Sequence, residues 1–210
     1  MRWTLLVVAV LDLAILAIWA VYHYGEAFIV GSSHQRPGVA STAEAPPPSA
    51  TAGFVFYAQP SVLPEIRFMD GEGRNLSLAD FRGKPIILNI WATWCGPCRS
   101  EMPKLERLQL TVGRSNLLVL PLSIDRQDVS VVKQFYGELG LNALSIYVDS
   151  SGRAARDLNT VGIPTTLLID RDGREIGREV GATEWDSPEV VALVRQHLGL
   201  PPGGPSATGP

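Results

Sequence analysis

Three continuous apolar runs, separated by stretches with helical periodicity, dominate the middle of this 210-residue chain. The runs are IILNIWA (86–92), NLLVLPLSI (116–124) and TTLLID (165–170), with a shorter fourth candidate in LSIYVD (144–149). Apolar runs without polar alternation are typical of strands that are covered on both faces of a sheet. The remaining segments predict helices over 97–111, 128–139, 152–159 and 187–198, the last with Pro188 in its first turn.

Two turn-rich segments predict hairpins beside these strands. MDGEGRNLSL (69–78) precedes the first central strand, and DRDGRE (170–175) leads into EIGREVG, which predicts an edge strand. Strands that alternate with helices, closed by a hairpin and a final helix, predict an α/β fold with helices on both faces of the sheet.

The N-terminal segment Trp3–Tyr22 is almost purely apolar and predicts a transmembrane helix within residues 1–30. As a helix, this segment spans about 30 Å, the hydrocarbon thickness of a bilayer. Arg2 precedes it, so the positive-inside rule leaves the short N-terminus in the cytoplasm and exports the rest. A cleaved signal peptide is the alternative, because the small residues Ala17 and Ala20 lie near the end of the run, where a cleavage site would be expected.

Composition predicts the remaining boundaries. Residues 31–55 are rich in Pro, Ala and Ser without an apolar period, and they predict a flexible tether. Residues 56–199 are numerous enough to bury one substantial core, and they predict the folded domain. The tail, residues 200–210, contains PPGGPSATGP and predicts disorder.

Net charge and cysteine content narrow the classes of function. The formal net charge of −3 gives no support to nucleic-acid binding, which normally shows a basic patch. The chain has two cysteines, Cys95 and Cys98, both in WATWCGPCRSEMP (91–103). A structural clip between them would close so short a loop that it removes little entropy from the unfolded chain. Half of a metal site and a working redox pair are the other two interpretations.

The predicted elements place both cysteines where a thiol can act as a nucleophile. Cys95 follows a central strand, and Cys98 falls in the first turn of the next helix. Active sites of open α/β sheets lie at the carboxyl ends of strands. The N–H groups and partial positive charge of a helix N-terminus favour thiolate over thiol. Gly96 allows a tight entry into the helix, and Pro97 has no N–H group to lose there.

The segment WCGPC after an apolar strand, together with GIPTT (162–166) far downstream, resembles the thioredoxin superfamily. Within it, ILNIWATWCGPCRSEMPKL is similar to the membrane-anchored TlpA/ResA/CcmG group of thiol–disulfide reductases, and FRGKP and GATEW resemble TlpA-like members. The resemblance implies a thioredoxin-like mixed sheet with a helix–strand insertion over 128–149. It also implies that Cys95 attacks, that Cys98 resolves, and that Pro164 is a cis-proline facing the disulfide.

One departure from ordinary thioredoxin makes Glu101 a candidate for proton handling. Thioredoxin carries a buried aspartate six residues before its first cysteine, where this chain has Asn89, which cannot take up a proton at ordinary pH. The TlpA/ResA group instead has a glutamate three residues after the second cysteine, which corresponds to Glu101. Positions i and i+3 share a helix face, so Glu101 can lie beside Cys98 and act as its acid and base. The alternative is a first-turn acid favoured only by the helix dipole.

Six further residues are candidates for a substrate groove around the cysteines: Trp94, Gly96, Pro97, Ile163, Pro164 and Gly181. Ile163, directly before the proline, would pair its backbone with an extended substrate segment, as in strand addition at a sheet edge. Gly181 either allows close approach of a substrate backbone or serves only as a turn glycine.

The resulting prediction is a reductant of protein disulfides that needs no cofactor other than the redox-active Cys95–Cys98 pair. The resemblance implies a bacterial inner-membrane protein with its domain in the periplasm. It also implies a membrane thiol relay as reductant, and apocytochrome c or a copper-site protein of cytochrome oxidase as substrate. The alternative is copper delivery, since thiolates bind Cu(I). Such a module usually needs a histidine near the cysteines, and the three here, His23, His34 and His197, lie outside the loops expected there, so no metal site is predicted.

Overall fold

The computed structural model describes residues 49–51, 53–114 and 116–201. The strands are β1 (Ser49–Thr51), β2 (Phe54–Val62), β3 (Arg67–Asp70), β4 (Asn75–Ser77), β5 (Ile86–Trp91), β6 (Leu118–Ser123), β7 (Tyr147–Val148), β8 (Thr165–Ile169) and β9 (Arg174–Val180). The helices are α1 (Gly96–Val112), α2 (Ser130–Leu139), α3 (Arg153–Asp157) and α4 (Pro188–His197), and a 3₁₀ turn occupies Leu78–Phe81.

Several predicted segments lie outside the described residues. These are the transmembrane helix at Trp3–Tyr22, the tether up to residue 48, and the tail from residue 202. Within the ranges that are described, no helix combines the length and the apolar character that crossing a bilayer requires.

The nine strands form one mixed sheet in the order β1-β2-β9-β8-β5-β6-β7-β3-β4. Strands β5, β6 and β7 run parallel, and every other pairing is antiparallel. The continuous apolar runs of the sequence form the central strands β5, β6 and β8, as predicted. Both predicted hairpins are present, as β3–β4 and as β8–β9. The prediction of β9 as an edge strand is wrong, because β2 pairs along its other side. The segment predicted as an insertion forms α2 and β7.

The alternation of side chains along β5 divides the core into two layers. Ile87 and Trp91 face a layer formed with α1, α2 and α4, whereas Ile86, Leu88 and Ile90 face a layer formed with α3 and the 3₁₀ turn. The predicted arrangement of helices on both faces is therefore confirmed. The same alternation directs Asn89 to the α1 side, between the side chains of Ile87 and Trp91.

The predicted boundary between tether and domain needs a correction. The sheet begins inside residues 31–55, because β1 lies there and β2 starts at Phe54, which is fully buried. Phe54 packs edge-on against Trp185, with ring centroids 5.6 Å apart. Composition alone placed the domain start at residue 56, since nothing local indicates that β2 pairs with β9. At the other end, Leu200 is also buried, although the tail was predicted from residue 200.

Candidate active site

The two cysteines form a disulfide at the junction of β5 and α1. Cys95 is the N-cap residue of α1, and the backbone N–H of Cys98 donates to its Sγ atom over 3.2 Å. Pro97 lies in the first turn, where a missing N–H costs the helix nothing. Cys95 retains 7% of its surface and Cys98 has none, so the first sulfur is the one that a partner molecule can reach. An N–H group aimed at Cys95 Sγ also stabilises its thiolate once the disulfide is reduced.

The loop before Cys95 is fixed by a carboxylate that the sequence analysis did not identify. Asp125, buried after β6, accepts the backbone N–H of Thr93 over 2.9 Å and the Thr93 hydroxyl over 2.7 Å. Ser123 donates its hydroxyl to the same carboxylate over 2.7 Å. Asp125 follows the apolar run of β6 directly, and the carboxyl ends of the parallel strands β5 and β6 meet at one edge of the sheet. That position is the signal from which this contact could have been inferred.

The loop before β8 brings a second chain segment to the disulfide. The Ile163–Pro164 peptide bond is cis, as the resemblance implied, and the Ile163 carbonyl oxygen lies 3.7 Å from Cys95 Sγ. The backbone N–H of Gly181 donates to the Pro164 carbonyl oxygen over 2.9 Å. Gly181 has a φ of 107°, a backbone conformation that residues with a side chain rarely adopt, and this accounts for glycine at the position.

Large apolar side chains are exposed on the segments that surround the disulfide. Trp94, directly before Cys95, is 69% exposed, and Val161 in the loop before Pro164 is 86% exposed. Val180, which precedes Gly181 and pairs with Thr165, is 50% exposed. Trp94 also borders a cavity of about 370 Å³ whose other lining residues are Ile124, Asp125, Arg126, Gln127 and Gly152. Trp94 was predicted from the sequence, but the two valines were not, because a single valine near a glycine carries no pattern.

Glu101 is fully buried on the face of α1 that also carries Cys98. Its Oε1 atom accepts a hydrogen from Asn89 Nδ2 over 2.7 Å. Its Oε2 atom accepts from the indole Nε1 of Trp185 over 3.1 Å and from the backbone N–H of Thr183 over 3.3 Å. Burial raises the pKa of Glu101 to about 7, and these hydrogen bonds only partly offset that effect. A surface acid in a first turn would have neither this burial nor these contacts.

The groups that could serve as metal ligands are dispersed in the described part of the chain. Nowhere in 49–51, 53–114 and 116–201 do three or more His, Cys, Asp or Glu side chains approach closely enough to hold a metal ion. His197 stacks on Phe56 with ring centroids 3.7 Å apart, and its Nδ1 lies 3.0 Å from the Leu193 carbonyl oxygen. His23 and His34 lie outside the described residues.

Relatives with known names match most of the domain. The chain is 34% identical over 113 residues to the thiol-disulfide oxidoreductase ResA of Bacillus thuringiensis subsp. konkukian, which covers 54% of this chain and 64% of that protein. It is 37% identical over 128 residues to the thiol:disulfide interchange protein CycY of Rhizobium leguminosarum bv. viciae, covering 60% of this chain and 67% of that protein. The match thus spans slightly less than two thirds of the ResA length.

Solved structures share the same fold. A DsbF homologue from Corynebacterium diphtheriae is 25% identical and superposes with a TM-score of 0.56, covering 67% of this chain and 92% of that one. The thioredoxin domain of a thiol-disulfide oxidoreductase from Bacteroides vulgatus, 22% identical, superposes with a TM-score of 0.57 over 71% of this chain and 99% of that one. The second likeness shows the fold alone.

The Redoxin family model matches residues 58–194, well over half of the chain and all of the site described above. Together with the ResA and CycY relatives, this match establishes that the chain belongs to the Redoxin family, as a TlpA/ResA/CcmG-type protein of the thioredoxin superfamily.

Proposed function

We propose that this protein is a thiol–disulfide oxidoreductase that reduces disulfides in other proteins through Cys95 and Cys98. The observation that carries the proposal is the arrangement of three groups on α1. Cys95 caps the helix and is accessible, Cys98 lies buried behind it, and Glu101 lies buried one turn further along. The family relatives named as oxidoreductases and interchange proteins support the same reaction class.

In the first half of the reaction, the Cys95 thiolate attacks one sulfur of a substrate disulfide. A sulfur–sulfur bond forms to Cys95, and the other substrate sulfur leaves as a thiolate that takes a proton from solvent. The Cys98 backbone N–H, 3.2 Å from Cys95 Sγ, stabilises the attacking thiolate without itself taking part in the chemistry.

In the second half, Cys98 gives its proton to Glu101 and attacks Cys95 Sγ. The Cys95–Cys98 disulfide forms, and the second substrate sulfur leaves with the electron pair of the broken bond. The leaving sulfur takes a proton from solvent, and Glu101 returns the Cys98 proton to solvent. Counted from the dithiol, whose Cys95 releases its proton before the attack, the protein has then lost two electrons and two protons, and the substrate has gained the same number. A carboxylate with its pKa at about 7 suits this step, because it can both accept and release a proton near neutral pH.

The predicted groove residues would bind a polypeptide substrate beside the disulfide. An extended substrate segment would lie along the cis-proline loop and pair with the Ile163 backbone, next to Pro164 and Gly181. Its side chains would contact the exposed Trp94 and Val161, and Gly96 and Pro97, both exposed, would leave the approach to Cys95 open. Apolar surface of this kind around a reactive group is typical of a site that binds partner proteins.

The finer assignment rests on the sequence. The apolar segment Trp3–Tyr22 would anchor the protein in the bacterial inner membrane with the domain in the periplasm. A membrane thiol relay would reduce the Cys95–Cys98 disulfide after each turnover, because the periplasm is oxidising. The substrates would then be the disulfides of apocytochrome c or of a copper-site protein of cytochrome oxidase.

Trapping with the Cys98→Ser variant tests the reaction and its substrate together. Without a resolving thiol, the mixed disulfide at Cys95 accumulates, and its partner can be identified from membranes of the native host. The Cys95→Ser variant is the matched control and should trap nothing. If both variants capture the same proteins, Cys95 is not the attacking residue.

The redox state in cells tests the direction of electron flow. Alkylation after acid quench should find Cys95 and Cys98 mostly reduced, and oxidised once the membrane thiol relay is deleted. A pair that stays oxidised in wild-type cells would make the protein an oxidant instead. N-terminal sequencing of the mature protein tests the anchor, since a chain beginning near Val21 would exclude it.

The pH dependence of disulfide resolution tests Glu101. The rate should rise as Glu101 ionises near pH 7, and Glu101→Gln should lower it by about 10²-fold above that pH. The exposed Glu65→Gln substitution is the control and should leave the profile unchanged. Profiles of Glu101→Gln and wild type that superimpose between pH 5 and 9 would remove Glu101 from the mechanism.

A further inference from the structure

Asn89 is fully buried in the centre of β5 and uses only the donor half of its amide. Its Nδ2 atom donates to Glu101 Oε1 over 2.7 Å and to Thr166 Oγ1 over 2.9 Å. Its Oδ1 atom has no hydrogen-bond partner within the described part of the chain. A buried amide oxygen without a partner is costly, so its retention needs a physical reason.

The contacts of Glu101 fit the ionised carboxylate and not the protonated acid. All three groups that bond its oxygens in the described structure are donors, and an ionised carboxylate only accepts. A protonated carboxyl group must also donate one hydrogen. The Trp185 indole N–H and the Thr183 backbone N–H are donors only, so neither can accept it.

The two oxygens of Glu101 therefore differ as sites for the proton. A proton on Oε2 would face both Trp185 and Thr183 and would break two hydrogen bonds. A proton on Oε1 faces Asn89 and breaks one. Oε1 is the less costly site, and Asn89 is the partner that has to respond.

We propose that Asn89 is a positioning residue whose amide group turns over by half a rotation when Glu101 takes up a proton. Rotation about the Cβ–Cγ bond exchanges Oδ1 and Nδ2, which have nearly the same size and shape. Oδ1 then accepts the hydrogen on Glu101 Oε1 and the hydroxyl hydrogen of Thr166. The amide makes two hydrogen bonds in each orientation, and its other end has no partner among the described residues in either one. The surrounding heavy atoms keep their places.

Thr166 is suited to this exchange because a hydroxyl group can accept or donate. It is fully buried on β8, directly opposite Asn89 on β5 and Glu179 on β9. A backbone donor at this position would hold the amide in one orientation. Asn89 and Thr166 thus form a hydrogen-bonded pair in which the donor and the acceptor can exchange roles.

Three kinds of charged or titratable group surround Glu101. On α1 itself, Lys104 contacts Glu184 through its ammonium group, which can only donate. On β9, burial raises the pKa of Glu179, which faces Thr166 across the strand pair. Cys98 does not titrate while the disulfide is intact. In the oxidised protein, Glu101 and Glu179 are therefore the two groups whose titration has to be separated.

This inference rests on the proposed function, since the proton on Glu101 is the one that Cys98 releases during resolution. With a fixed donor at position 89, uptake of that proton would leave an N–H and an O–H facing each other in a buried site. Reversal of the amide keeps Glu101 hydrogen-bonded before and after proton uptake. The acid can then cycle at each turnover without leaving a buried polar group unpaired on that side.

Neutron diffraction from deuterated crystals of the oxidised, full-length chain tests the inference directly. At pH 8.5, both deuterons of the Asn89 amide should point to Glu101 Oε1 and Thr166 Oγ1. At pH 5.5, Glu101 should carry a deuteron on Oε1, and Asn89 Oδ1 should face both partners. An amide that keeps one orientation while Glu101 is deuterated overturns the proposal, as does a Glu101 that carries no deuteron at pH 5.5.

Two variants separate Glu101 from Glu179 in solution. Glu101→Gln mimics the protonated acid. In this variant, the nuclear Overhauser effect between the Asn89 amide protons and Thr166 should be absent at every pH. Glu179→Gln should leave the pH-dependent loss of that contact as it is in wild type. The opposite pattern, with the change abolished by Glu179→Gln, overturns the proposal.

Failure of this inference is distinguishable from failure of the proposed function. All of these measurements use the disulfide form, which transfers no electrons. A protein whose Asn89 never reverses but whose dithiol reduces a substrate disulfide keeps the proposed function and loses only the positioning role.

Discussion

Two buried glutamates in this molecule differ in the charge of their hydrogen-bond partners. Glu175 on β9 forms a two-point ion pair with Arg178, at 2.6 Å from Nε and 2.8 Å from Nη2, and it also accepts the Tyr57 hydroxyl over 3.0 Å. Glu101 on α1 is at least as buried, yet its hydrogen bonds all come from neutral groups. The two carboxylates thus differ in charge compensation and hardly in burial.

The difference separates a structural acid from one that can exchange a proton. A cation in contact pairs with a buried carboxylate and makes it part of the framework, here with Arg178 also donating to the Leu158 carbonyl oxygen over 3.2 Å. Neutral donors stabilise the charge less, so burial dominates and the pKa of Glu101 rises to about 7. The proposed proton transfer from Cys98 therefore depends on Glu101 having neutral donors, and not a cation, as its hydrogen-bond partners.

Removal of the cation beside Glu175 should give the largest loss of stability. Arg178→Met leaves a buried carboxylate without its partner and should lower the free energy of unfolding by about 3–5 kcal/mol. Arg67→Met is the control, because Arg67 and Glu65 form an ion pair whose side chains are 75% and 62% exposed. Its loss should cost less than about 1 kcal/mol in urea unfolding. Equal losses of stability in the two variants would mean that the buried ion pair at Glu175 matters no more than an exposed one.

The stability of the oxidised protein should fall with rising pH because of Glu101. Its folded pKa of about 7 lies above the ordinary 4.5, so the folded state binds its proton more tightly than the unfolded state. The penalty is absent below pH 4.5, grows up to about pH 7 and stays constant above it, reaching roughly 3 kcal/mol. Glu101→Gln should remove this slope in urea unfolding measured between pH 4 and 8. Parallel curves for variant and wild type would contradict it.

Loss of one neutral donor should raise the pKa of Glu101 further. Trp185→Phe removes the N–H that contacts Oε2 while keeping an aromatic ring, and the pKa should rise by about one unit. Carbon-13 NMR of the glutamate carboxyl groups measures the change. Trp91→Phe is the matched control, because the equally buried Trp91 Nε1 has no partner among the described residues. A comparable shift in both variants would assign the effect to packing.

Loss of the nearest ammonium should have the smallest effect. Lys104 lowers the pKa of Glu101 only weakly, after burial and the three hydrogen bonds, and its own contact is with the 70% exposed Glu184. Lys104→Met should raise the Glu101 pKa by less than about half a unit and change stability by less than about 1 kcal/mol. A shift as large as that of Trp185→Phe would mean that Lys104 compensates Glu101 as Arg178 does Glu175.

The parts of the site that lie close together in the chain were predicted from the sequence. Cys95, Cys98 and Glu101 share one helix, and the spacing of three residues places the last two on one face. The partners that define the chemistry of Glu101 were not predicted. Thr183 and Trp185 contact it from more than eighty residues away, and Asp125 reaches Thr93 from the end of another strand. No local pattern encodes the contacts of Thr183 and Trp185 with Glu101, whereas the position of Asp125 directly after β6 was a signal for its contact with Thr93.

The sequence by itself determined the central strands and the start of a helix at the two cysteines. These features follow from periodicity and from the local chemistry of proline, glycine and the helix N-terminus. Only the tertiary structure decided where the domain begins, because β2 becomes a strand by pairing with β9. It also decided the proton affinity of Glu101, since burial and the number and charge of hydrogen-bond donors depend on segments that meet only when the chain has folded.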